Sequence, residues 1–362
     1  MKGTQALNLL FISLKRYFNV NSLSLFADRL IFKLPYFARL FVIDPIKSRI
    51  IVAKFISSYD QSQKIKLCYD TSISPPTYGD FFNLIMLGRF LVLSGKTVKI
   101  QILDTGPRKG VYNIELEAHR RILREYKAIA RNLLPKNTEI EIATRFVLLN
   151  NEMTFNSKVM FRHSPRIIQI LVKHYAWKIP SNFLLSKKAE SINRPYIAWG
   201  IRHSQWSEKR NSEIKEVLND HKVLRDFFPK HNIMVLTTNE GWNKYKKVLK
   251  KADRILLKNS DKVNIYCQPV FGFSKTVEYL LAADFYFQRH GSGLGTVAHY
   301  SNVPYLLLAK EYNYEFNLFQ NSLLGINIKN QKFRMNRFLP FSLYFELNKL
   351  FKVKRILIKQ YK

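Results

Sequence analysis

Apolar and polar positions alternate along this chain in two successive blocks between residues 64 and 308. KIKLCYD (64–70) reads as a strand, and the loop SPPTYGD follows it. Phe81–Ser94 has the spacing of a helix and ends at Gly95. TVKIQILD (97–104) is the next strand, TGPRKG a turn, Asn113–Leu134 a long charged helix, and EIEIATRFVLL (139–149) a third strand. The pattern loosens over 150–193. A helix is expected near Pro165–Tyr175, and the Asn, Ser and Pro residues after it mark a hinge. It restarts with the strand PYIAWGIR (195–202) and the polar loop HSQWSEKRN. Helix Ser212–Phe228, strand NIMVLTTNE (232–240), helix Trp242–Leu249 and strand KVNIYCQPV (262–270) follow. Strand–helix–strand units of this length build parallel sheets through right-handed crossovers. The expected fold is α/β, with two Rossmann-like doubly wound domains facing across a cleft between their carboxyl edges.

The segment 277–308, VEYLLAADFYFQRHGSGLGTVAHYSNVPYLLL, is the most informative. It reads as a helix, a buried strand (Phe285–Gln288), a turn with Gly291, Gly293 and Gly295, a helix (Thr296–Tyr300), and a strand from Tyr305 after Pro304. A strand–Gly loop–helix unit of this kind offers bare backbone N–H groups and a positive helix end to a phosphate. The same glycines also suit a tight turn that only allows close packing. The spacing is neither G-x-G-x-x-G nor G-x-x-x-x-G-K, so an ordinary dinucleotide or P-loop site is not indicated.

Composition narrows the partners. The chain has 362 residues, 47% of them hydrophobic, enough for two domains with large cores. Its 59 Lys and Arg against 26 Asp and Glu give a formal charge of +33, spread along the whole length. Such a field suits nucleic acid, an anionic membrane surface or phosphorylated small molecules. No RNP-like signature, zinc-finger spacing or basic zipper is present, so nucleic acid is not expected. Residues 1–57 mix Phe, Leu and Ile with Lys and Arg, and Phe345–Lys362 repeats the mixture. No stretch approaches the ~20 apolar residues of a spanning helix. Both ends instead suit helices lying on an anionic bilayer, or amphipathic helices packed on the body of the protein. Cys68 and Cys267 sit in apolar strands and read as buried thiols in a reducing compartment. The eight histidines are scattered without metal spacing. The divisions expected are a basic amphipathic segment (1–57), two Rossmann-like domains (58–185 and 190–330) and a basic helical C-terminal segment (331–362).

Candidate chemistry gathers at strand ends. Thr77-Tyr78-Gly79-Asp80 opens the first long helix; Asp80 reads either as an ordinary first-turn acid or as a general base, with Gly79 admitting an acceptor to the backbone. Arg202 and His203 end a strand, and Lys209 and Arg210 lie in the loop after it, where such cations grip a diphosphate or stay solvated. Arg289 and His290 precede the Gly loop and reach the same edge. Glu278 suits either a ribose contact or a surface position.

YGDFFNLIMLGRFL after a first strand, paired with a late SGLGTVA…NVPYLLL, resembles two-domain glycosyltransferases of the GT-B architecture. The similarity is greatest to the lipopolysaccharide heptosyltransferase-like group. That group carries a Gly-Asp at the start of its first helix, matched by Gly79-Asp80, with the Asp as base. Its Lys/Arg loop is matched loosely by HSQWSEKRN, and its Ser-Gly-x-x-His-x-Ala loop by Ser292, Gly293, Ala298 and Pro304. Thr296 stands where the group has His, and His290-Gly291 where it has an acid. WGIRHS is similar to the strand end of fucosyltransferases, whose Arg holds a GDP diphosphate. The resemblance implies an acceptor domain at 58–185 and a nucleotide-sugar donor domain at 190–330. It implies inverting transfer without metal or cofactor, from a nucleotide-sugar to a lipid-linked or polysaccharide acceptor at the cytoplasmic face of a membrane. Polysaccharide pyruvyl transferases, which also pair a Gly-Asp with an Arg/His loop, provide a second reading with phosphoenolpyruvate as donor. A non-catalytic protein binding a membrane or polyanion is the third.

Overall fold

The computed structural model describes residues 64–71, 78–104, 115–144, 153–156, 182–185, 196–203, 211–256, 265–269, 273–290, 293–309 and 334–338, with scattered positions at 53, 59 and 164–180. Two all-parallel sheets are present. The first is built from β1 (Lys64–Asp70), β2 (Thr97–Leu103), β3 (Glu139–Ala143) and β4 (Met153–Asn156), in the order β3-β2-β1-β4. Helices α1 (Tyr78–Leu93) and α2 (Leu116–Leu133) make its first two crossovers.

The second sheet holds β5 (Tyr196–Ile201), β6 (Asn232–Thr237), β7 (Ile265–Pro269), β8 (Phe285–Arg289), β9 (Tyr305–Ala309) and β10 (Arg334–Phe338). Its order is β10-β9-β8-β5-β6-β7. Counted from β5 as the first strand, this is 3-2-1-4-5-6, the Rossmann order, whose direction reverses between β5 and β8. The helices are α3 (Ile214–Phe227), α4 (Asn239–Leu256), α5 (Phe273–Ala282) and α6 (Gly293–His299).

Strand β5 is buried at all six positions, as a central parallel strand covered on both faces must be. Its alternate residues serve two cores. Ile197, Trp199 and Ile201 pack with Leu224 of α3 and Leu249 of α4 on one face. Tyr196 and Ala198 join a larger core on the other face with Tyr286, Leu280 and Val297. That second core runs on into the first half of the chain, through Phe81, Leu84 and Tyr126 to Leu67 and Ile100. The two halves therefore meet along an apolar seam in which α1 lies against α6.

Five elements differ from the sequence expectation. Helix α1 begins at Tyr78, not Phe81, so Tyr78, Gly79 and Asp80 of the expected loop form its first turn. Strand β4 falls inside the irregular stretch 150–193 and pairs with β1 from Ile65↔Met153 to Cys68↔Asn156. Helix α6 begins at Gly293, not Thr296, so Gly293 and Gly295 lie in its first turn. Helix α4 runs from Asn239 to Leu256, longer at both ends than Trp242–Leu249. Within 331–362, Arg334–Phe338 is a strand paired with β9. Cys68 is a buried free thiol as expected. Residues 1–57, apart from Ala53, and the stretch 345–362 lie outside the described residues. No helix among the described residues is long and apolar enough to cross a membrane.

Candidate functional site

Open parallel sheets bind ligands at the carboxyl edge where the strand order reverses. In the second sheet that point lies between β5 and β8. The register pairs Ile201 with Arg289, so the next residues, Arg202 and His290, leave the sheet side by side.

His290 has φ 67°, the one left-handed non-glycine among the described residues. Such a backbone costs about 1–3 kcal/mol and persists only where neighbours hold it. Its N–H donates to the Leu308 carbonyl at 2.8 Å, and its carbonyl accepts from the Gln288 side-chain amide. Gln288 in turn accepts from the Tyr286 hydroxyl. A Cβ at Gly200 on the adjoining strand would stand 2.5 Å from that hydroxyl oxygen, so glycine is what admits the network. The buried His290 ring places Nε2 3.1 Å from Oε2 of Glu216, in the first turn of α3.

The same Glu216 oxygen accepts the Glu213 N–H at 3.3 Å, closing a capping box at the start of α3. Ser212 donates its N–H to the Arg202 carbonyl at 3.0 Å, and Tyr245 donates its hydroxyl to the Ser212 carbonyl at 2.6 Å. Burial, and then the charge of Glu216, pushes the Tyr245 phenol up to about 12. The His203 ring meets Tyr245 edge-on at 6.1 Å, and a Cβ at Gly241 would stand 2.7 Å from His203 Cβ. Both ends of the Arg202–Ser212 stretch are thus anchored, and Arg202 and His203 remain half-buried at the edge.

Arg289 does not point to the same task. It forms a two-pronged ion pair with Asp220 of α3, at 2.7 and 2.5 Å. Burial pushes the Asp220 carboxyl up, against the pull of Arg289. Burial acts against the Arg289 charge as well, but the Asp220 contact raises it overall. The pair pins β8 to α3 beside His290.

The acid content of the helix starts decides where an anion can sit. Glu213 and Glu216 occupy the start of α3 and Glu240 the first turn of α4, whereas the first turns of α5 and α6 have no acid. Of these two, α5 follows the edge strand β7 and α6 follows β8 at the reversal point, so a negative group is favoured at the β8–α6 corner. There Gly293 touches the first half of the chain: a Cβ on it would lie 3.0 Å from the Gly79 nitrogen and 3.1 Å from Tyr78 Cβ. A Cβ on Gly79 would lie 3.3 Å from Thr296 Oγ1. Further along, the Tyr300 hydroxyl donates to Asn83 Oδ1 at 3.0 Å. Helices α1 and α6 thus run side by side in the same direction, with their positive ends together. Asp80, half-buried in the first turn of α1, stands at this junction.

The structure gathers Arg202, His203 and His290 at one sheet edge, and Gly79, Asp80, Gly293 and Thr296 at the helix junction. Gly79 packs α1 onto α6, and Gly295 packs onto Leu307, 3.3 Å from where its Cβ would be. Glu278 is ion-paired to Lys275 on the surface of α5 at 3.1 Å. Lys209, Arg210, Gly291 and Ser292 lie outside the described residues. Sequence reasoning passed over Glu216 and Gln288. Glu213-x-x-Glu216 is a capping signal that marks the first, and a lone amide in the apolar strand FYFQR marks the second. It also passed over Asp104 at the end of β2, whose Oδ1 lies 3.0 Å from Nε2 of the buried His119. Among the described residues no cluster of His, Cys, Asp and Glu is placed to hold a metal ion.

No protein-family model and no curated protein matches the chain. Solved structures do. The E. coli heptosyltransferase WaaC, solved with ADP-2-deoxy-2-fluoro heptose, is 11% identical, with a TM-score of 0.37, over 82% of this chain and 100% of that one. E. coli ADP-heptose LPS heptosyltransferase II is 11% identical, with a TM-score of 0.38, over 80% and 100%. MurG of Acinetobacter baumannii is 12% identical, with a TM-score of 0.35, over 80% and 91%. At such identities and scores the likeness says nothing of what this chain binds.

Proposed function

We propose that the chain is a glycosyltransferase that passes a sugar from a nucleotide-sugar to a lipid-linked or surface-polysaccharide acceptor. The observation that carries this reading is the reversal point of the 3-2-1-4-5-6 sheet, where Arg202 and His290 emerge together beside an acid-free helix start. In the proposal the donor diphosphate lies at the β8–α6 corner. Arg202 and His203 stabilise the charge that develops on the leaving phosphate, with Lys209 and Arg210 of the adjoining loop. Fixed cations do this without a divalent ion, so transfer is metal-independent.

Asp80 takes the proton from the acceptor hydroxyl as the hydroxyl oxygen attacks the anomeric carbon and the bond to the diphosphate breaks. Attack from the face opposite the leaving group inverts the anomeric centre. Glu278, a surface residue of α5, is assigned to the ribose or base. The basic termini hold the protein at the inner face of a membrane, where the acceptor resides.

The test is thermal stabilisation of the purified protein by UDP, GDP, ADP, CMP and phosphoenolpyruvate, each with and without magnesium. A ligand at about 100 times its Kd adds about 2.7 kcal/mol. A magnesium-independent shift with one nucleoside diphosphate is expected. A shift with phosphoenolpyruvate alone assigns the chain to pyruvyl transfer instead, and no shift with any of them removes the donor site.

A further inference from the structure

Helix α2 carries a row of cations that no part of the proposed reaction uses. Arg120, Arg121, Arg124 and Arg131 are exposed and Lys127 is half-buried. At about 100° per residue these five positions share one face, opposite the buried Ile122, Tyr126 and Ile129. The face holds one acid, Glu117. Among the described residues none of the five basic side chains forms an ion pair. Leu116, at the start of the helix, is 50% exposed, one of two exposed large hydrophobic residues among the described residues.

From Arg120 to Arg131 the row is about 16 Å long, set by the helical rise. A rigid, flat row of guanidinium groups matches a surface of phosphodiesters, which each fork engages through two hydrogen bonds. An apolar side chain at the end of the row suits the boundary between headgroups and acyl chains. Helix α2 also belongs to the same half of the chain as Asp80. We propose that this face of α2 docks on the anionic headgroups of a bilayer and presents the α1 start to acceptors in it. The inference deepens the membrane-side placement proposed above; donor binding is read separately and holds or fails without it.

Helix α4 supplies an internal control. It exposes Lys244, Lys246, Lys247, Lys250 and Lys251, the same charge without guanidinium forks, and packs on the opposite face of the second sheet. The experiment is co-sedimentation of the full chain with phosphatidylcholine vesicles, plain or containing phosphatidylglycerol. It compares the wild type with R120Q/R124Q/R131Q and K246Q/K247Q/K250Q. All six substitutions are at exposed positions, and matching melting temperatures establish that both variants fold. The α2 variant is expected to bind anionic vesicles on the order of a hundredfold more weakly, from the usual effect of each basic residue near such a surface. The α4 variant is expected to bind as the wild type does. Equal losses from the two variants would reduce the effect to bulk charge and overturn the proposal. So would intact vesicle binding by the α2 variant, or a loss confined to heparin, which would make the partner a soluble polyanion.

Discussion

His290 Nε2 lies 3.1 Å from Glu216 Oε2, joining the end of β8 to the first turn of α3 across the reversal point of the second sheet. The contact fixes an imidazole whose backbone already sits at φ 67°. Asparagine tolerates that backbone region better than most residues but lacks the ring. H290N is therefore expected to cost about 1–3 kcal/mol by leaving Glu216 without its imidazole partner, while the nucleotide-induced melting shift disappears. Comparing thermal melts with and without the nucleoside diphosphate checks both halves. An unchanged shift would remove His290 from the site.

Gly79 and Gly293 meet backbone to backbone, and a methyl group on either would sit tightly against the other helix. In G293A the added carbon would sit 3.0 Å from the Gly79 nitrogen, which cannot move without displacing α1. Alanine ordinarily favours a helix, so a gain is expected from propensity alone. Overpacking reverses the sign: G293A should destabilise the protein by about 1–3 kcal/mol. Urea unfolding measures this directly, and a stabilised G293A would show that the two helices are not held in contact.

Asp253 holds α4 to α3 by accepting from Arg225 Nε at 2.7 Å and from His221 Nε2 at 2.9 Å. Burial acts to raise its carboxyl, but these two partners lower it overall. A carboxyl depressed in the folded state contributes stability above its unfolded value of about 3.9. That contribution is lost as pH falls through the lower folded value. The wild type should lose this stability at pH below about 4, whereas D253N should be weaker by about 3 kcal/mol near neutrality and lose less on acidification. Melting curves across that range decide it.

Glu125 of α2 accepts the Tyr78 hydroxyl and, at 3.4 Å, the N–H of Phe273 that opens α5. Tyr78 also stacks on Phe273, with ring centres 4.2 Å apart. Burial, then the Glu125 charge, pushes the Tyr78 phenol well above its usual range. An acid whose folded value is raised contributes stability that is full below about pH 10 and fades as pH climbs past it. E125A should cost about 1–3 kcal/mol at neutral pH by leaving its partly buried partners unmatched. Y78F should flatten the alkaline end of the stability profile.

Much of this was legible in the sequence, element by element. The bounds 64–70 of β1 follow from a short apolar run closed by a loop, and α2 from its clean separation of charged and apolar faces. Strand β4 was not legible, because four residues between polar stretches carry too little periodicity to announce a strand. The start of α6 was misplaced because glycine argues locally for a turn, while the contact with Gly79 that favours glycine comes from a residue more than two hundred positions away. Arg202, His203 and His290 were visible as strand-end cations. The partner of His290, Glu216, was hidden, since an acid in a first helical turn looks the same whether or not it faces a histidine.

The most direct test of the central claim is calorimetric titration of the nucleoside diphosphate chosen by the melting panel into wild type, R202A and D80N. Loss of one charged contact to phosphate is expected to weaken binding by R202A at least tenfold, about 1.5–3 kcal/mol. D80N, assigned to the acceptor, should bind the nucleotide as the wild type does. Wild-type affinity in R202A would contradict the placement of the donor at the β5–β8 edge.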